Sequence, residues 1–114
     1  MKQWAGVAAL MLLTGCMSLS QTRSAGPVQE YSSRKPAAAV AECVKVTWAD
    51  VKMFGDVADV FKKINGPDDF TVYTTEGQYF VDIAGQGGTT RVSFYAKPDT
   101  AAKEQRGAGV ATCL

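Results

Sequence analysis

The sequence predicts an α+β fold: a three-stranded antiparallel meander packed against an N-terminal helix and a short C-terminal helix in a two-layer sandwich. Three observations predict it. Apolar residues recur at helical spacing between residues 40 and 51. From residue 69 the period changes to two, and Gly-containing turns divide the pattern into short segments. Two cysteines, Cys43 and Cys113, stand near the two ends of the patterned region.

The chain opens on a different kind of segment. Met1-Lys2-Gln3 is a short basic start, and Trp4 to Leu13 is uncharged and mostly apolar. A membrane-spanning helix needs about 20 such residues, so this run is too short to cross a bilayer. It has the length of a signal-peptide core. It closes on Leu13-Thr14-Gly15-Cys16, which resembles the bacterial lipobox: an aliphatic residue, two small residues, then Cys. The resemblance implies that residues 1–15 are a removable signal peptide. It also implies that Cys16 carries diacylglycerol on its thiol and becomes the acylated first residue of the mature lipoprotein. In that family an Asp after the Cys resembles an inner-membrane retention signal. Met17 stands there instead, so the expected location is the outer membrane, with the domain in the periplasm. Residues 17–35 are polar, Ser-rich and without apolar period, and read as a flexible tether. An ordered arm around Val28 and Tyr31 is the other option. As a random coil the tether would hold the domain about 25 Å from its anchor.

The patterned domain spans residues 36–114. Pro36 suits a helix start, where its missing N–H costs nothing. Ala37 to Val51 follows, with Val40, Cys43, Val44, Thr47, Trp48 and Val51 on one face and strong helix formers between them. Trp48 reads as a core anchor. Asp56 can cap a short second helix carrying Val57, Val60, Phe61 and Ile64, stopped by Asn65-Gly66-Pro67. The same apolar residues also suit a loop or an edge strand. Phe70 to Thr75, Tyr79 to Ala84 and Thr90 to Ala96 are the three strands, joined at Glu76-Gly77 and Gly85 to Gly88. Asp99 or Thr100 can cap the terminal helix, which Gly107 and Gly109 weaken.

Loss of Lys2 leaves 11 basic residues against 11 acidic ones. No basic patch stands out, which argues against a nucleic-acid partner. With Cys16 acylated, Cys43 and Cys113 are an even pair in an exported chain, and a disulfide is expected. The alternatives are reduced thiols or a metal site. A zinc site would lack ligands, because the chain has no His.

The same lack of His removes the usual neutral-pH general base. Gly85-Gln86-Gly87-Gly88 joins two strands and lacks the Lys-Ser/Thr of a phosphate loop. Asp68-Asp69 sit where a strand entry needs polar groups. No catalytic residue, cofactor or metal is expected. The expected functional surface is a binding one, with Tyr73, Tyr95 and Arg91 on the sheet face opposite the helices.

Ala41-Glu42-Cys43, Trp48, Gly77-Gln78-Tyr79, Val92-Ser93-Phe94-Tyr95 and Cys113 together resemble a loose group of small proteobacterial lipoproteins. Those place a Cys-and-Trp helix first and a Cys last. The resemblance implies a fold and an envelope location, not an activity. The expected function is that of a non-enzymatic, lipid-anchored binding or accessory module with an envelope protein partner. Thr75-Glu76-Gly77-Gln78-Tyr79 is similar to the Ser-Gly-x-x-Tyr loop of membrane-bound C-type lysozyme inhibitors, with one residue fewer and no Ser. It implies an alternative, an inhibitor or immunity-type protein blocking a periplasmic hydrolase. That family is all-β, which the Ala-rich helix contradicts.

Overall fold

The computed structural model describes residues 19–50, 59–98 and 102–114. Among the described residues it is α+β, with a five-stranded antiparallel sheet and three α-helices. In chain order these are α1 (Leu19–Ser24), β1 (Gln29–Ser33), α2 (Ala37–Ala49), β2 (Val60–Gly66), β3 (Asp69–Thr74), β4 (Tyr79–Gln86), β5 (Thr89–Ala96) and α3 (Lys103–Ala111). The sheet order is β1-β5-β4-β3-β2. The expected meander is its centre, β3-β4-β5, and two further strands extend it at both edges.

Both edge strands correct the sequence reading. Residues 29–33 pair with β5, from Gln29 opposite Phe94 to Ser33 opposite Thr90. Residues 19–24 are therefore helix and 29–33 strand, which is the ordered arm rather than the tether. Polar side chains conceal this strand because an edge needs backbone partners more than apolar ones. Val60 to Gly66 pairs with β3, with Val60 opposite Thr74 and Ile64 opposite Phe70. The short helix expected here is a strand over its described part. Its proposed cap, Asp56, lies outside the described residues, as do Val51 and Val57. A row of ladder hydrogen bonds to β3 outweighs a weak local helical preference.

α2 begins after Pro36, whose carbonyl accepts from Ala39 and Val40 N–H at 3.0 and 3.1 Å. Ala37, Val40, Ala41, Val44 and Trp48 are its buried residues. They face Phe70, Val72, Tyr79, Val81, Ile83, Val92 and Phe94 on the inner side of the sheet. Cys43 and Thr47 flank this stripe and are half-buried. Trp48 meets Phe94 edge-on, with centroids 6.0 Å apart. Burying an aromatic of this size stabilises the fold by about 2–3 kcal/mol.

α3 contains both glycines that argued against it. Gly107 and Gly109 are buried, and a Cβ on Gly107 would lie 3.3 Å from the Phe94 ring. The helix thus lies close against β5 at the position that lacks a side chain. Tyr31 donates its hydroxyl to the Gly107 carbonyl at 3.3 Å, tying β1 to the same spot. Arg106 is fully buried. It lies 5.6 Å from the Trp48 ring and 5.4 Å from the Tyr79 ring. Its guanidinium donates to the Trp48 carbonyl at 2.9 Å, and the Trp48 indole donates to the Arg106 carbonyl at 3.1 Å. Cys43 and Cys113 are disulfide-bonded, with Cα atoms 5.6 Å apart, so α2 and the C-terminus are locked side by side.

Candidate functional site

The face of the sheet opposite α2 and α3 carries two transverse rows of side chains. Both follow from the period of two and from register. The first row is aromatic. Phe61 is opposite Tyr73, Tyr73 opposite Phe80, and Phe80 opposite Tyr95. Phe61 and Tyr73 stack at 5.3 Å, and Phe80 and Tyr95 stack at 4.6 Å with planes only 10° apart. Cross-strand aromatic pairs contribute roughly 0.2–1 kcal/mol each. Phe80 is fully buried on this outer side, while Phe61 is 44% exposed. The row is therefore closed at its centre and open at its β2 end.

The second row is polar: Lys63, Thr71, Asp82, Ser93 and Glu30 in register across all five strands. Thr71 donates to Asp82 at 2.8 Å, and Asn65 donates to Thr71 at 3.0 Å. Arg23, projecting from α1, donates to both Asp82 oxygens at 2.7 Å, a bidentate pair. The same guanidinium lies 5.0 Å from the Phe80 ring. The hydrogen bond to Asp82 raises the Arg23 pKa; burial opposes this, and the Asp82 charge adds to the rise. Burial, reinforced by the nearby Asp82 charge, raises the Tyr95 phenol above its ordinary value.

α1 thus lies across the outer face, held by Arg23. Its first residue, Leu19, packs on Gly77. A Cβ there would come within 2.5 Å of the Leu19 side chain, and Gly77 has φ +64°. A left-handed backbone and a close approach both require glycine at this turn. Between α1 and the sheet lies a cleft of about 350 Å³, lined by Leu19, Arg23, Lys63, Asn65, Asp69, Thr71 and Asp82. Its two cations are balanced by two carboxylates, so neither a strongly charged anion nor a cation is favoured.

Tyr73 and Tyr95 both stand on this outer face, in one row with Phe80 between them. Arg91 is on the same face and exposed, but it is opposite Ala84 and Ser32. Four residues along β5 separate it from Tyr95, about 13 Å at the rise of a strand. The three expected binding residues therefore share a face without forming one site. Phe61 joins the patch because β2 is a strand, and alternation with Lys63 would have placed it there. Arg23 had no such signal, because α1 is short and its partner is 59 residues away. Cys16 lies outside the described residues. No family model, no curated protein and no solved structure matches this chain.

Among the described residues no three His, Cys, Asp or Glu side chains gather as a metal site. Asp82 already accepts from Arg23 and Thr71, which makes it a structural anchor of the face. What the face offers is stacking area at Phe61 and Tyr73 beside polar hydrogen-bonding groups. That combination suits contact and recognition.

Proposed function

We propose that this chain is a non-enzymatic, lipid-anchored module of the cell envelope, held by acyl groups on Cys16 and making contact through its outer sheet face. The observation that carries the contact reading is the open end of the aromatic row, where Phe61 stacks on Tyr73 at the margin of a polar cleft. The anchoring reading rests on the run ending in Leu13-Thr14-Gly15-Cys16. The Cys43–Cys113 bond supports an oxidising compartment. Met17 after the Cys supports the outer membrane over the inner. The inhibitor reading would have to use the exposed hairpin at 86–89, because Gly77 is buried beneath Leu19.

The test is the intact mass of protein extracted from membranes, before and after reduction and alkylation. A mass equal to residues 16–114 plus acyl groups, with two thiols alkylated only after reduction, is the expected result. A full-length or unacylated mass would reject the anchor. Free thiols without reductant would reject the compartment.

A further inference from the structure

A tether of residues 17–35 would let the domain move freely about 25 Å above its anchor. The fold removes that freedom. α1 is fastened to the outer face by the Arg23–Asp82 pair, and β1 is a paired strand. Only Met17 and Ser18 separate Cys16 from Leu19. Three residue steps reach at most about 10 Å. Leu19 itself lines the cleft shared with Lys63 and Asn65, and packs on Gly77. A lipid on Cys16 therefore enters the bilayer close to the outer face and cannot reach round to the helices.

We infer that the partner of the outer face is the bilayer surface that holds the anchor, which Phe61 and Lys63 meet beside the point where the chain enters it. This deepens the reading of a lipid-anchored contact module and rests on it. Phe61 is one of the few large apolar side chains that the described fold leaves exposed. It stacks on Tyr73, whose ring carries a hydroxyl, and aromatic side chains of this kind settle at headgroup level. Lys63 follows on the same strand and face, exposed and suited to lipid phosphates. Alone these groups would bind a membrane weakly. A short anchor raises the effective concentration of the surface, so a weak contact suffices. Orientation follows: the layer of α2 and α3 points away from the membrane. Val46, 62% exposed on α2, then stands about 10–12 Å farther out, a helix diameter beyond the sheet.

The experiment places a photo-cross-linking benzoylphenylalanine at Phe61 or, separately, at Val46 in the full chain. Intact envelopes are irradiated and the adducts are weighed. Lipid adducts are expected at position 61 in at least about fivefold excess over position 46, because anchoring confines one face to the surface. Equal lipid yields at the two positions would overturn the orientation. Adducts at position 61 that are mainly protein would overturn the choice of partner and point to an envelope protein on this face. Arg23→Ala, checked by mass for an intact disulfide, is expected to bring the position 61 yield down towards that of position 46. An unchanged yield would overturn the role given to the α1 fastening. The same spectra report acylation. Loss of acyl groups from Cys16 sinks the anchoring reading itself, whereas an acylated chain with equal yields sinks only the orientation.

Discussion

The two faces of the sheet are covered in different ways. The inner face is closed by two helices, an apolar cluster and a covalent bond. Arg106, a cation buried on this side, is set between two rings and bonded to a backbone carbonyl. The outer face is crossed by a helix of six residues held mainly through Arg23, half in solvent. Burial of apolar area is non-directional and large, and it makes the inner side the source of stability. A partly exposed ion pair contributes about 1 kcal/mol or less. It fixes where α1 lies without committing the whole fold to that position. The proposed contact surface and α1, where the described residues begin, both lie on the weakly held side.

The largest expected effect separates the two faces at the disulfide. Reduction, or Cys113→Ser, frees a loop of 70 residues and should cost about 4 kcal/mol in the chain-entropy model. Denaturant titration with and without reductant measures it. A loss below 1 kcal/mol would mean that the inner face owes little to its covalent lock.

Gly77→Ala strikes the junction of the two faces. The left-handed backbone should cost about 1–2 kcal/mol, and the new Cβ must displace Leu19. Denaturation midpoint reports the first effect, and amide exchange in α1 reports the second. Faster exchange in α1 without faster exchange in α2 is the expected pattern.

A smaller effect is expected from Asp82→Asn, which keeps shape but removes the charge that Arg23 grips. Global stability should fall by less than about 1 kcal/mol, because the pair is partly exposed. Amides of α1 should nonetheless exchange faster, since local opening is not global unfolding. Unchanged exchange there would show that Leu19 alone holds the helix.

The smallest effect is alkaline. Tyr95 on the outer face and Tyr31 on the inner face both have phenols raised by burial. Each keeps its proton in the fold above pH ~10, where the unfolded chain has begun to lose it, so stability declines as pH rises through that range. A titration of phenolate absorbance should show Tyr31 and Tyr95 ionising above the ordinary phenol value. Tyr95→Phe should remove part of that late ionisation. An unchanged late ionisation in this variant would contradict the burial of Tyr95.

The centre of the fold is legible from residue order. Alternation in Phe70 to Thr74, Tyr79 to Ile83 and Thr90 to Tyr95 marks strands because successive side chains point to opposite faces. The stripe Val40, Val44 and Trp48 marks a helix for the matching reason, and the pair Cys43 and Cys113 marks a bond. Tyr73 and Tyr95 were placed on the outer face by the same parity. What escaped was edge and contact. β1 is written in Gln, Glu, Tyr and Ser, and β2 in residues that suit either helix or strand. Their state is decided by backbone groups of β5 and β3 that lie far away in sequence. Arg106 carries no local sign of burial, and its place is set only when α3 is laid on Trp48 and Tyr79. Arg23 reads as part of a tether until register brings Asp82 beneath it.

Local pattern alone therefore determined which residues face each other across one strand or one helical turn, since that depends only on periods of 2 and 3.6. The tertiary structure decided that β1 and β2 join the sheet at its edges, where α1 lies and what Arg106 packs against. Those depend on pairing between distant segments, whose free energy no single segment contains.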